Sequence, residues 1–269
     1  MTAEPLAITI LGCGSSGGVP RVAMGWGTCD PSNPRNRRRR CSILVERAGS
    51  GGTTTVLVDT SPDCREQLID AGVTRLDGIL ITHDHADHTH GLDDVRPLVI
   101  HMRRRIALYA DERTSAVLNQ RFGYCFRTPP GSQYPPLLDE HRLEAGRAFA
   151  IDGPGGPIRG VPFDMEHGET RALGFRFGSA AYASDVSALP PESLEMLRGL
   201  DLLILDALRY TPHPSHFSLA ESLALIEMLG PRRAILTNMH TDLDYATLAA
   251  GLPPNVEPAF DGMRLAVTG

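Results

Sequence analysis

Thr82-His83-Asp84-His85-Ala86-Asp87-His88 places three imidazoles and a carboxylate, all metal-ligand types, between positions 83 and 88. The run follows Gly78-Ile79-Leu80-Ile81, whose unbroken apolar character reads as a buried strand ending at Thr82. Side chains two apart on an extended segment point the same way, so His83 and His85 can share one ion. Asp87 and His88 come where the chain turns into a helix, and they can face a second ion. A polar surface turn is the simpler alternative. It is disfavoured because such groups cost free energy when buried unpaired. Imidazole and carboxylate donors suit zinc, manganese or iron and need no thiolate. The stretch points to metal-assisted hydrolysis at the end of a strand.

Outward from it, short apolar or β-branched runs alternate with longer amphipathic ones. Residues 7–11 read as a strand entering a glycine-rich turn over 12–18. Residues 42–46 and 54–59 read as strands joined by Gly49-Ser50-Gly51-Gly52. Ser61 is placed to cap a helix, with Pro62 at its first position, running to Ala71 and stopping at Gly72. A second helix is expected over about 91–99 and a strand over 106–109. Residues 111–142, with Pro129, Pro130, Pro135 and Pro136, read as a helix-plus-loop insertion at the rim. Strands follow at 149–151, 158–165, 174–177, 180–183, 202–205 and 234–237, with a helix over 219–229. Residues 256–260 and 263–267 read as a closing hairpin around Asp261-Gly262. No repeat is evident. Strand-rich halves that each carry helices imply an α/β fold with two sheets face to face, in one domain spanning 1–269.

The composition narrows the class. A chain of 269 residues, 42% hydrophobic and 22% charged, matches an ordinary globular enzyme with a sizeable core. No apolar run approaches the ~20 residues a membrane span needs. Residues 1–11 lack a basic stretch and a small-residue cleavage site, so a cytoplasmic location is expected and no membrane partner. Five cysteines with no C-x-x-C pair argue against a disulfide framework or a cysteine-rich zinc site. A net charge of −6 argues against broad nucleic-acid binding, the run Arg35 to Arg40 being a local exception.

Four ligands cannot complete two sites, so the others must come from elsewhere in the chain. Three candidates stand at strand ends: His167 after Pro162-Phe163-Asp164-Met165-Glu166, Asp185 after Tyr182-Ala183-Ser184, and His240 after Ile235-Leu236-Thr237-Asn238-Met239. A lone histidine at a strand end is usually structural, but a chain already short of ligands reverses that reading.

His83-x-His85-x-Asp87-His88 followed by His167, Asp185 and His240 resembles the metallo-β-lactamase superfamily, over nearly the whole chain. The resemblance implies an αββα sandwich with a dinuclear site at one edge. It implies His83, His85 and His167 on one ion, Asp87, His88 and His240 on the other, and Asp185 bridging both. A bridging carboxylate points to the phosphodiesterase and glyoxalase branches rather than to true β-lactamases. Within the superfamily the chain is most similar to the phosphodiesterases of the carbon–phosphorus lyase pathway, which open phosphoribosyl cyclic phosphate. The residues that carry this are Leu11-Gly12-Cys13-Gly14-Ser15-Ser16-Gly17-Gly18-Val19-Pro20, the segment Arg37 to Ser42, and Phe260-Asp261-Gly262-Met263. Those enzymes also hold a structural zinc on clustered cysteines and a histidine. Here Trp26-Gly27-Thr28-Cys29-Asp30 keeps one cysteine, so that zinc is expected to be absent.

The expected chemistry uses two divalent ions, zinc first, with manganese and iron also compatible. A bridging hydroxide would attack a small cyclic phosphate or nucleotide-like phosphodiester. His216, in Tyr210-Thr211-Pro212-His213-Pro214-Ser215-His216-Phe217, is where the resemblance places the general acid, and an imidazole suits that task. His213, Ser15, Ser16 and Arg96 are candidate substrate contacts. Arg21 is a further phosphate clamp candidate, and one or two of the arginines at 37–40 could face the cleft. His90, His101 and His141 read as structural or surface residues. The alternatives are a ribonuclease of the tRNA 3′-processing type, a glyoxalase-type thioester or lactone hydrolase, and a non-catalytic metal-binding module. A homodimer is expected from base rates alone.

Overall fold

The computed structural model describes residues 6–267; residues 1–5, part of the stretch read for a leader, lie outside it. The first half of the chain supplies strands β1 (Leu6–Gly12), β2 (Ser42–Gly49), β3 (Gly52–Val58), β4 (Gly78–Leu80), β5 (Ile106–Ala110) and β6 (Leu138–Arg142). The second half supplies β7 (Phe149–Ile151), β8 (Ile158–His167), β9 (Thr170–Phe177), β10 (Ala180–Ala183), β11 (Leu202–Asp206), β12 (Arg233–Thr237) and β13 (Val256–Pro258), and the chain closes with β14 (Arg264–Val267). These form two seven-stranded sheets, ordered β14-β1-β2-β3-β4-β5-β6 and β13-β12-β11-β10-β9-β8-β7. In each sheet, antiparallel pairs give way to parallel ones, at β3–β4 and at β10–β11. The helices are α1 (Cys64–Asp70), α2 (Ala86–Thr89), α3 (Arg96–Met102), α4 (Glu112–Phe126), α5 (Pro191–Met196), α6 (Leu219–Leu229) and α7 (Tyr245–Gly251).

Strand periodicity explains the layering. On β2, Ile43 and Val45 face the other sheet and join Val56, Val58, Phe163, Phe175 and Phe177 in the central core. Leu44 between them points the other way and packs with Leu57, Ile79 and Leu108 beneath Leu68, Leu92, Val95 and Leu118. The fold is thus an αββα sandwich of two mixed sheets with helices outside, as the alternation implied.

One packing detail in the core is testable. Gly174 on β9 pairs with Phe163 on β8, and a Cβ at Gly174 would lie 2.2 Å from atoms of the Phe163 ring. Gly174→Ala is therefore expected to lower unfolding stability by about 1–3 kcal/mol, the usual cost of overpacking. A denaturant midpoint equal to that of the parent would show that the ring is free to move.

Several local expectations change. The helix expected from Pro62 begins at Cys64, because the Ser61 hydroxyl accepts from the Asp63 N–H at 3.1 Å and donates to Gln67 at 2.8 Å in a tight turn. The helix over 91–99 is a short 3₁₀ turn, Leu92–Val95, followed by α3, with Pro97 in its first turn. Residues 111–142 hold more than a helix and loop: Asp111 caps α4 by accepting from Thr114, and the last residues form edge strand β6. The closing hairpin is a correction. Gly262 turns with a φ of 89°, but β13 pairs with β12 and β14 pairs with β1, so the chain crosses between sheets there. Asp261 anchors the crossing by accepting from the Cys13 and Arg39 N–H groups.

Candidate metal centre

Strands β3, β4, β8, β10, β11 and β12 all end at one edge of the sandwich. At or just beyond their last residues come Asp59, the 83–88 run, His167, Asp185, Asp206 and His240. Two residues at this edge, one of them in that set, are backbone-strained. Asp59 and Asn238 have φ values of 65° and 60°, the left-handed region that short polar side chains tolerate best.

Candidate ligand atoms of His83, His85 and His167 lie within 4.8 Å of one another, and so do those of His83, His88 and Asp185. The imidazoles are fixed by their outer nitrogens. His88 Nδ1 donates to Asp59 Oδ2 at 2.7 Å, and His167 Nδ1 donates to the Ser215 carbonyl at 2.6 Å. His83 Nδ1 lies 2.9 Å from the Thr82 hydroxyl, which itself donates to Asp59. The guanidinium of Arg121 on α4 donates to the Asp84 carbonyl at 2.6 Å and braces the loop from outside. Such partners orient metal ligands and set their tautomer. The inward Nε2 of His83 is buried without a hydrogen-bond partner, and that of His88 has no well-aligned hydrogen bond, its near neighbours being the carboxylates of Asp185 and Asp87. Buried polar atoms left orphaned are costly, and a divalent cation bound by imidazole and carboxylate would satisfy both. The donor set therefore fits the metal group.

The electrostatics point the same way. Burial drives the His83 imidazole well below its ordinary pKa, leaving it neutral and able to ligate. Burial also pulls on His88, but Asp185, Asp59 and Asp87 outweigh it and hold its pKa well above the ordinary value. Asp185 Oδ1 lies 2.8 Å and Asp87 Oδ2 3.4 Å from His88 Nε2. Burial opposes the charge on Asp185, yet His88 and then His83 keep its carboxyl well below the usual range. A proton on His88 here meets the same concentration of negative charge that a cation would.

A third group joins Asp185 to Asp206 and His216. His216 Nδ1 donates to Asp206 Oδ2 at 2.8 Å and lies 4.0 Å from Asp185 Oδ2. Asn238 donates to Asp185 Oδ2 at 2.9 Å, tying β12 to the site. Burial pushes the Asp206 carboxyl up to about 7. His216 is lowered by burial but raised further by its hydrogen bond to Asp206, so its net shift is upward.

These groups open into a cleft of about 300 Å³ whose walls include Ser15, Ser16, His213, His216 and His240. His240 stands apart from both ligand clusters: its Nδ1 is 3.1 Å from the Thr241 hydroxyl, and its Nε2 meets the guanidinium of Arg21. Arg96 is a correction. It is ion-paired with Asp93 and lines a separate groove with Val99, Ile100 and Tyr134, not the cleft. The basic run is also turned away. Arg35 stacks on Tyr245 and Phe260, Arg39 and Arg40 pair with Asp70 and Asp63, and Arg37 lines a groove on the far side. Arg38 is fully buried and donates to the carbonyls of His240 and Leu243, with Nη1 3.9 Å from Cys29 Sγ. A guanidinium thus occupies the neighbourhood of the lone cysteine at which a zinc was expected to be missing. His90 and His141 pack on Phe122 and Tyr109, outside the cleft. Asp59, Asp206 and Asn238 were not singled out from sequence, although each directly follows an apolar strand or lies within two residues of one.

Comparison with known proteins gives consistent results. A family described as "Beta-lactamase superfamily domain" matches residues 54–239. A solved diphosphatase of the PhnP family is 39% identical, with a TM-score of 0.86, and the match covers 98% of this chain and 98% of that one. An octanoyltransferase of Porphyromonas gingivalis is 32% identical over 261 residues, 95% of this chain and 50% of that protein. A ribonuclease Z of a Bradyrhizobium species is 29% identical over 168 residues, covering 60% of this chain and 50% of its own length. The chain therefore spans about half the length of the curated relatives it matches.

Proposed function

The chain belongs to the beta-lactamase superfamily and, within it, to the PhnP family of metal-dependent hydrolases, and from that premise we propose that it is a phosphodiesterase acting on a small cyclic phosphate or nucleotide-like diester. The observation that carries the reading is the His216–Asp206 pair, set beside Asp185 on the wall of the metal cleft. An alkoxide leaving a phosphodiester needs a proton, and an imidazole held cationic by a buried carboxylate supplies one. The names diphosphatase and ribonuclease among the relatives support chemistry at phosphorus.

In this reading His83, His85 and His167 would hold one divalent ion, and Asp87, His88 and His240 the other, with Asp185 as a ligand available to both. Zinc suits the donors best, and manganese or iron are compatible. Bound there, such ions would supply an activated water near neutral pH and counter-charge for the phosphoryl oxygens. Asp59, Thr82 and the Ser215 carbonyl keep the imidazoles turned inward. Ser15, whose buried hydroxyl has no partner, Ser16 and His213 contact the substrate. His216 Nε2 delivers the proton to the departing oxygen while Asp206 holds Nδ1–H.

The pH profile tests the pair. Asp206 raises the His216 pKa, so the protonated donor persists above the ordinary imidazole range and activity falls only as pH rises past the raised value. Asp206→Asn removes that support, and the alkaline limb of kcat is expected to move to lower pH. A limb that stays in place would separate Asp206 from the donor.

The broader reading is tested by assaying phosphoribosyl cyclic phosphate, cyclic nucleotides, linear diesters, a precursor tRNA and an octanoyl thioester with each metal. The small diesters are expected to turn over fastest. Preference for the thioester would overturn the reading in favour of acyl hydrolysis. Preference for the tRNA would favour a nuclease, but the rim does not lend itself to gripping RNA: Arg121 is committed to Asp84, and Arg127 to Asn119.

A further inference from the structure

Arg21 is a cation placed where a metal ion is expected. Its Nη1 meets His240 Nε2, the atom through which His240 would ligate. Guanidinium nitrogens donate and never accept, so this contact uses the lone pair of a neutral imidazole. His240 Nδ1 lies 3.1 Å from the Thr241 hydroxyl and 3.8 Å from Asp242, which suits the tautomer with Nδ1 protonated and Nε2 bare. A metal ion requires that same lone pair. Two partners that use one lone pair exclude each other.

The side chain lies close against the backbone at Gly17. A Cβ on Gly17 would lie 2.3 Å from Arg21 Nε, so the guanidinium fits only because position 17 is glycine. Among the described residues Arg21 forms no ion pair with a carboxylate. Its polar side-chain partner is a neutral ring, and leaving that ring for an anion in the cleft would be easy. Among the described residues no arginine hydrogen-bonds a ring nitrogen of His83, His85 or His167, whose partners are Thr82, the Ser215 carbonyl and one another.

We propose that Arg21 gates loading of the second half of the centre: it competes with a divalent ion for His240 Nε2, and an anion in the cleft that draws it away opens the site. This rests on the two-ion reading above. It makes the second ion the weaker one in the free protein and couples its binding to the arrival of a phosphoryl group.

The test is stepwise titration of metal-free protein with Co²⁺, followed by visible absorption, in the parent, Arg21→Ala, His240→Ala and the double variant. The parent is expected to bind in two steps. Arg21→Ala should tighten the second step by about tenfold or more, within the usual range of coupling between sites, and leave the first unchanged. His240→Ala should remove the second step in either background. Inorganic phosphate should tighten the second step more in the parent than in Arg21→Ala. A second step that is unchanged or weaker in Arg21→Ala overturns the gate and leaves the two-ion reading standing. A parent that binds no Co²⁺ overturns both.

Discussion

His216→Ala lowers kcat by about 10²–10⁴-fold on a diester with a poor alkoxide leaving group, the usual contribution of a positioned general acid. The same variant loses far less on a nitrophenyl diester, whose leaving group departs without a proton. The split follows from geometry. His216 is anchored through Nδ1 to Asp206 at 2.8 Å and is only partly exposed, so its Nε2 is the nitrogen free to face the cleft. Kinetics of the two substrates side by side make the check, because a merely structural role would depress both rates together. Equal losses would remove His216 as the donor. Adding Asp206→Asn to His216→Ala should cost little more, since the carboxylate acts through the ring it holds.

Removal of the divalent ions by a chelator abolishes turnover, and readdition restores it. Asp185→Asn produces the same loss without a chelator. Asp185 is buried, lies 2.8 Å from His88 Nε2 through one oxygen, and accepts from Asn238 through the other. An amide keeps the shape but removes the negative charge from the His83–His88–Asp185 cluster. Metal analysis should fall from close to two ions per chain in the parent to a lower content in Asp185→Asn. Unchanged metal content with lost activity would move Asp185 out of the ligand set. The stripped protein should remain folded, because the apolar core between the sheets does not depend on the site. Its melting temperature should drop, since ions bound at 1,000 times their Kd stabilise by about 4 kcal/mol per site.

The parts of this molecule legible in sequence are those decided locally. Helix α6 could be bounded to the residue because Ser218 and Glu221 form a capping box and Gly230 stops it in the left-handed conformation. The 83–88 run pointed to a metal site through spacing and residue type alone, and the structure gathers its histidines with His167 and Asp185 into candidate ligand groups. Asp59 and Asp206 carried a weaker signal, a carboxylate closing an apolar strand, which becomes meaningful only once a histidine is known to lie against it. The partner of Arg21 lies 219 positions away, and no local pattern could have supplied it. Arg96 illustrates a different limit: its place in the sequence admits a phosphate clamp or a salt bridge with no preference for the clamp, and the i,i+3 pairing with Asp93 selects the salt bridge. The expected hairpin at 256–267 failed for a related reason. The turn chemistry at Gly262 is real, but which sheet each flank joins is settled by β1 and β12, far away in the chain.

That crossing has a consequence for how the chain is made. Among the described strands β1 is made first, with one flank pairing to β2, while its other flank waits for β14, paired at Leu6↔Val267. During translation the first sheet therefore carries an open backbone edge, the kind that invites pairing between chains. The ligand set waits as well, because His240 is made only shortly before β14. Closure of the first sheet and completion of the candidate ligand set therefore come close together. Ribosome-arrested chains ending before residue 240 should show the first core but bind only one ion, and they should be the forms most in need of a chaperone.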